Sequence, residues 1–140
     1  LLLTGEPLDI KITGHIGNTG VDEHDCLILK YKNGAIAQLT CTIQAQIETD
    51  AYIYGSKGKI HIPYFLRTDK ATLENEQGRE TYEDLRTSLG YNYEIEAVNR
   101  YLKDNQIKSN IIPPEKSLKN IRIIDSAREK IGLKYPFEKE

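Results

Sequence analysis

Few stretches of this chain combine residue types and spacings that chemistry could use. The densest is Val21-Asp22-Glu23-His24-Asp25, where three carboxyls surround an imidazole. Such a group could ligate a metal or move a proton, but strand alternation sends His24 away from Glu23 and Asp25, leaving only Asp22 on its side. The three histidines, His15, His24 and His61, include no i, i+4 pair, so no metal site is expected. Gly14-His15-Ile16-Gly17-Asn18-Thr19-Gly20 is rich in glycine, yet it leads into a strand, not into a helix N-terminus that could meet a phosphate. Gly55-Ser56-Lys57-Gly58 has the Gly-x-x-Gly spacing of a single-stranded RNA clamp, but here it joins strands instead of helices. No catalytic, cofactor-binding or metal-ligating residue is assigned.

The elements around these stretches are more informative. From Ile36 to Gln46 the sequence alternates strictly, with Ala37, Leu39, Cys41, Ile43 and Ala45 on one side and Gln38, Thr40, Thr42, Gln44 and Gln46 on the other. The preceding strand, Cys26 to Lys32, reaches it through Asn33-Gly34, a dipeptide suited to a two-residue type I′ turn. Pairing Lys32 with Ala35 puts Ile28 opposite Leu39 and Cys26 opposite Cys41, with Leu29 opposite Gln38 and Leu27 opposite Thr40. The second face then mixes Leu27, Leu29 and Tyr31 with Gln38, Thr40, Thr42, Gln44 and Gln46, and no charge falls between Ala35 and Ile47. A solvated face would carry Lys and Glu, so these eight residues are expected to meet another polypeptide, a second copy or a further domain.

The rest of the chain reads as further strands and two helices. Leu8 to Thr13, Ala51 to Tyr54 and Lys59 to Pro63 are strands; Lys70 to Asn75 and Arg79 to Leu85 form a polar edge hairpin about Gln77-Gly78. Tyr64-Phe65-Leu66, just past a strand end, could line a pocket or pack beneath a loop. Tyr93 (or Tyr91), Ile95, Val98, Tyr101 and Leu102 form a helical stripe with Asn92 or Ser88 as N-cap. Pro114 opens a second helix whose expected buried stripe is Leu118, Ile121, Ile124, Ala127 and Ile131, closed by Gly132. The predicted fold is α+β: one open, mainly antiparallel sheet of about six strands with both helices on one face.

At 140 residues the chain fits a single domain with its own core. A net charge of -2 gives no attraction to phosphate backbones, so no nucleic-acid partner is expected. There is no bilayer-spanning apolar run and no signal peptide, which predicts a soluble, cytoplasmic protein with no membrane partner. Cys26 and Cys41 are read as small reduced core residues. With no Met in the sequence, Leu1-Leu2-Leu3-Thr4 followed by Gly5 reads as the last turn of a helix, and the chain as the C-terminal piece of a larger protein.

Three segments carry a resemblance: Thr19-Gly20-Val21-Asp22-Glu23; Leu29-x-Tyr31-x-Asn33-Gly34-Ala35-x-Ala37-x-Leu39; and Ile53-Tyr54-Gly55-Ser56-Lys57-Gly58-Lys59-Ile60-x-Ile62-Pro63. With Gly90-Tyr91-Asn92-Tyr93-Glu94 and Ile131-Gly132-Leu133-Lys134-Tyr135-Pro136, their order resembles the C-terminal domain of the Gfo/Idh/MocA family of NAD(P)-dependent oxidoreductases. The nearest branch is that of dihydrodiol and glucose-fructose oxidoreductases. The resemblance implies an open sheet used for subunit contacts in a homo-oligomer, and a sugar, polyol or related hydroxy compound as substrate, oxidised by hydride transfer to nicotinamide. It also implies that the Rossmann domain, the Glu-Lys-Pro lysine and the Asp and His that follow precede this chain. Alone, this piece would then bind no NAD(P) and lack activity, contributing one pocket wall with Phe65 and Tyr91 as candidates for packing on a substrate ring. The residues by themselves leave open a non-catalytic interaction module that uses the same uncharged face.

Overall fold

The computed structural model describes residues 5–84, 86 and 90–138. The leucine stub at residues 1–4, the Ser88 alternative for the helix cap, and Leu85 at the expected strand end lie outside them. The described residues form β1 (Pro7–Ile16), β2 (Asp22–Tyr31), β3 (Ile36–Thr42), β4 (Ala51–Gly55), β5 (Gly58–Ile62), β6 (Lys70–Asn75), β7 (Gly78–Glu83), α1 (Tyr91–Lys103) and α2 (Pro114–Lys130), with a 3-10 turn at Pro136–Glu138. Every strand pair is antiparallel, and the fold is α+β as expected.

The expected single sheet is instead two, ordered β1-β2-β3 and β4-β5-β6-β7. They fall in two compact units, one drawn from residues up to Gln46 and from Lys108 onward, the other Ile47–Ile107. The split begins where β3 stops. Alternation predicts a strand to Gln46, but Thr42 ends it: its hydroxyl donates to the Glu23 carbonyl at 3.1 Å and accepts the Gln44 N–H at 3.0 Å. A threonine that bonds the backbone two residues on replaces the ladder with a turn.

The β2-β3 register also differs from expectation, by one residue. Tyr31 donates its N–H to the Ala35 carbonyl at 2.9 Å, Gly34 donates to the Tyr31 carbonyl at 3.0 Å, and Gly34 has φ +85°. This is a three-residue connection ending in a left-handed glycine, so only Gly34, and not Asn33, takes the positive φ that a type I′ turn demands of both. Leu27 therefore pairs with Leu39, Leu29 with Ala37 and Cys26 with Thr40. Cys26 and Cys41, expected to be opposed, lie on opposite faces as free thiols.

In the first unit β1 continues the apolar face: Ile10 pairs with Leu29, Ile12 with Leu27 and Gly14 with Asp25. A Cβ on Gly14 would stand 3.2 Å from Ile131 Cδ1, which places the end of α2 over this face. Leu29, Tyr31, Ala127 and Leu133 are the buried apolar residues. Of the stripe expected to be buried on α2 only Ala127 is; Leu118, Ile121 and Ile124 are more than half exposed. The helix is turned so that Lys119, Ile123 and Ala127, spaced i, i+4, i+8, face β1, where Lys119 pairs with Glu6. Small Ala127 permits the close approach, and the bulkier stripe falls on the far side. Gly132 (φ +71°) closes α2 as predicted, with its N–H on the Glu129 carbonyl and that of Leu133 on the Arg128 carbonyl.

In the second unit β4 to β7 form a meander with two-residue connections at Ser56-Lys57 and Glu76-Gln77. One face carries Tyr52, His61, Thr72 and Thr81 on one rung and Tyr54, Lys59, Glu74 and Arg79 on the next; the other face carries Ile53, Ile60 and Leu73. Lys59 Nζ lies 2.9 Å from Glu74 Oε2. The N-cap of α1 is Gly90 (φ +102°), displacing the expected Asn92. Asn105 (φ +55°) ends it in the motif used by Gly132 on α2, with Gln106 donating to the Tyr101 carbonyl at 2.8 Å. The stripe of α1 is amphipathic as predicted, but no residue of the helix is buried.

Candidate functional site

The second unit carries a polar arrangement at the open end of β4 and β5. Because β4 and β5 run antiparallel with Ala51 opposite Ile62, the residues just outside that rung, Asp50 and Pro63, come together. Pro63 has no N–H and ends the ladder. The next two amides turn back onto the start of β4: Tyr64 donates to Asp50 Oδ1 at 2.9 Å and Phe65 to the Thr49 carbonyl at 2.8 Å. Tyr64 has φ +44°, a left-handed conformation that costs an L-residue with a bulky side chain about 1–2 kcal/mol.

The second carboxylate oxygen, Asp50 Oδ2, lies 2.7 Å from His61 Nε2. An ionised carboxylate only accepts, so Nε2 carries the proton. The His61 ring stacks on Tyr52 at 4.5 Å between centroids and 5° between planes, and Tyr54 extends the stack at 6.1 Å. The Tyr64 N–H, and after it His61, hold the Asp50 carboxyl below the usual range, against a smaller opposing effect of burial. The result is a fixed corner, Tyr64-Phe65-Leu66, whose three side chains are each half exposed or more.

Phe65 thus sits on a corner with defined backbone geometry. Tyr91, the first residue of α1, is 69% exposed in the same unit, and among the described residues no ring contact joins the two. Asp50 and His61 escape sequence reasoning because they stand 11 positions apart. Extending the β4-β5 ladder one rung beyond Ala51 would have brought Asp50 to Pro63.

The eight residues expected to share an association face do not share one. Leu27, Leu29 and Tyr31 lie on the α2 side, with Leu29 and Tyr31 buried, because the three-residue turn shifts the register. Gln38, Thr40 and Thr42 lie on the other side, with Ile28 and Ile36, which are 44% and 69% exposed. Gln44 and Gln46 fall after the end of β3.

In the first unit, Asp25 is buried beneath the end of α2, and its Oδ1 has no hydrogen-bond partner among the described residues. Burial, and then the neighbouring Asp22 carboxyl, push the Asp25 carboxyl up. Asp22 itself accepts from Tyr135 Oη at 3.3 Å, and Arg128 stands over the Tyr135 ring at 4.5 Å while pairing with Glu138 at 2.6 Å. Desolvation, and then the charge of Asp25, push the Cys41 thiol up, away from the thiolate a nucleophile needs. Among the described residues no group of three or more His, Cys, Asp or Glu side chains could hold a metal ion, and no helix is long and apolar enough to cross a membrane.

Comparisons with known proteins agree with this architecture. The chain is 32% identical over 146 residues to trans-1,2-dihydrobenzene-1,2-diol dehydrogenase of Xenopus laevis, covering 97% of this chain and 44% of that one. It is 29% identical over 137 residues to scyllo-inositol 2-dehydrogenase (NADP(+)) of Bacillus subtilis, covering 97% and 42%. It therefore spans less than half the length of these relatives. The fold matches aldose-aldose oxidoreductase of Caulobacter crescentus with a TM-score of 0.75 at 12% identity, over 91% of this chain and 39% of that one. UDP-N-acetylglucosamine 3-dehydrogenase of Acidithiobacillus ferrooxidans gives 0.71 at 16%, over 92% and 41%. Residues 1–61 match the family described as the GFO/IDH/MocA C-terminal domain. In the order of its motifs and in its fold, the chain is similar to the C-terminal part of Gfo/Idh/MocA oxidoreductases.

Proposed function

We propose that this chain is the substrate and association domain of an NAD(P)-dependent oxidoreductase acting on a hydroxyl of a cyclic diol, polyol or sugar. The observation that carries this is the likeness along 97% of the chain to a dihydrodiol dehydrogenase, with an inositol dehydrogenase close behind. Bound nicotinamide would accept hydride from the substrate carbon. The residues of this chain do not fit that cofactor: Gly14 to Gly20 span the end of β1 and the turn into β2, and no helix N-terminus follows them. NAD(P) is accordingly assigned to the remainder of the enzyme, and catalytic proton transfer to no residue here.

The role left to this chain is binding and orientation. Phe65 offers an apolar ring from a fixed corner, suited to stacking on the apolar face of a cyclic diol or sugar. Tyr91 offers a second ring with a hydroxyl donor. Association with a second copy is assigned to the face of Ile28, Ile36, Gln38, Thr40 and Thr42, where exposed isoleucines and uncharged hydrogen-bonding side chains suit a self-complementary contact.

The test is turnover by the full-length protein with NAD+ or NADP+ and a panel of trans-dihydrodiols, inositols and aldoses, followed by nicotinamide absorbance. Reduction with one class is the expected result; none with any of the three would overturn the reading. For association, sedimentation should show an oligomer that Ile28→Lys converts to monomer. A wild-type monomer would remove that half of the proposal.

A further inference from the structure

The Tyr64 corner is held more firmly than packing requires. Three residues after β5 stand outward, half exposed or more, so they add little to the core. Yet the corner puts a bulky tyrosine in a left-handed conformation and secures two successive amides, one to a carboxylate and one to a carbonyl. That carboxylate is itself fixed through its other oxygen by a histidine stacked on Tyr52. Backbone strain kept in an exposed segment by a dedicated polar brace serves presentation better than stability.

We propose that Asp50 is a positioning residue: braced by His61, it fixes the Tyr64-Phe65 backbone and so sets where the Phe65 ring stands against the substrate. His61 acts through Asp50, and Tyr52 through His61. This rests on the reading above that Phe65 lines the substrate pocket, and it adds the residues that decide how well that pocket recognises a ring.

The chemistry separates two substitutions. Asp50→Ala removes both bonds and leaves the Tyr64 N–H and the His61 Nε2–H without acceptors. Asp50→Asn keeps an oxygen for the Tyr64 N–H, loses the charge and turns an amide N–H toward His61, a bond retained once the imidazole proton moves to Nδ1. Asparagine also adopts the left-handed conformation more readily than tyrosine, so Tyr64→Asn should make the corner less dependent on its brace.

The experiment uses the full-length enzyme with its best cyclic substrate, comparing Phe65→Ala, Asp50→Ala, Asp50→Asn and the double variant Asp50→Ala/Tyr64→Asn. Hydrogen–deuterium exchange of peptides covering residues 62–66 is measured alongside. Phe65→Ala and Asp50→Ala should each raise KM about tenfold with kcat changed less than about twofold, the size expected for losing one charged hydrogen bond or one ring contact. Asp50→Asn should stay within about threefold of wild type, and the double variant should recover part of the Asp50→Ala loss. Exchange in the 62–66 peptides should quicken on the order of tenfold in Asp50→Ala alone. The inference is overturned if Asp50→Ala leaves exchange unchanged, or quickens it while KM stays at wild type and Phe65→Ala raises KM. If Phe65→Ala itself leaves KM unchanged, the pocket reading fails and takes this inference with it. Should Asp50→Ala not fold, His61→Phe, which keeps a ring against Tyr52 and removes the brace on Asp50, carries the test: exchange and KM both raised severalfold support the inference, and either one at its wild-type value would overturn it.

Discussion

Asp25 and Asp50 are the same side chain in opposite circumstances. Asp50, at the start of β4, uses both oxygens, one on a backbone N–H and one on His61, and its carboxyl is held low. Asp25, in β2 under the end of α2, has a buried oxygen without a partner and a second carboxyl beside it, and is pushed up. Satisfied hydrogen bonds favour the ionised form, whereas burial beside a like charge opposes it. In this molecule the braced acid stands beside an exposed corner and the unsatisfied one within the core.

The sharpest way to break this comparison is to press on the strained acid. A Cβ on Gly14 would overlap Asp25 Oδ1 and stand 3.2 Å from Ile131 Cδ1. Gly14→Ala should therefore destabilise the protein by about 2 kcal/mol, read as a shift in denaturant midpoint. A change within about 0.5 kcal/mol would mean the site has slack that the packing does not show.

Relieving the same acid should have a smaller effect of opposite sign. A carboxyl with a raised folded-state value favours folding only while protonated, so its contribution falls as pH rises from the ordinary aspartate range through the raised value. Asp25→Asn gives Asp22 an amide donor in place of a second charge, and should raise Tm near neutral pH by about 3 °C. The gain should vanish in acid below about pH 4, where wild-type Asp25 is protonated folded or unfolded. A gain of equal size in acid would show that charge is not the cause.

Asp50 should respond in the other direction. With a lowered folded-state value, its contribution is complete above the ordinary aspartate range and is lost as pH falls through the lowered one. The amide shift of Tyr64, followed by NMR, should be flat through neutral pH and move only in that acid window. The same titration of Asp50→Asn should show no such step.

The smallest effect expected is at the turn that sets the register. Asn33 Oδ1 accepts the Ala35 N–H at 3.1 Å on an exposed loop, so Asn33→Ala should cost less than about 1 kcal/mol in a denaturant melt. Gly34, at φ +85°, should be the more costly of the two to replace.

Sequence reasoning reached the strands, the two helices and the family order of motifs because each rests on local signals: alternation, helical periodicity and turn glycines. It missed wherever one local choice had long-range consequences. Asn33-Gly34 is compatible with two turn lengths, and choosing the shorter moved Leu27, Leu29 and Tyr31 to the wrong side of the sheet. Thr42 reads as one more polar position in an alternating strand until its hydroxyl binds Glu23, 19 residues earlier in the chain. The helical stripes were legible as stripes, but periodicity does not say what covers them; on α2 the face spaced by Ile123 and Ala127 took the sheet. The brace at Asp50 depends on a pairing between strand ends and on a non-glycine residue at positive φ, which no spacing rule marks.

The loop Lys32-Asn33-Gly34 carries a last implication. Removing a single position from it would slide one neighbouring strand past the other by one rung, so that the glutamine and threonine side chains would have to turn inward beneath α2 while Leu39 turned out to water. Insertions and deletions at this hairpin should accordingly be far less forgiving than point replacements, and a library varying its length would find the three-residue version alone compatible with the present interior.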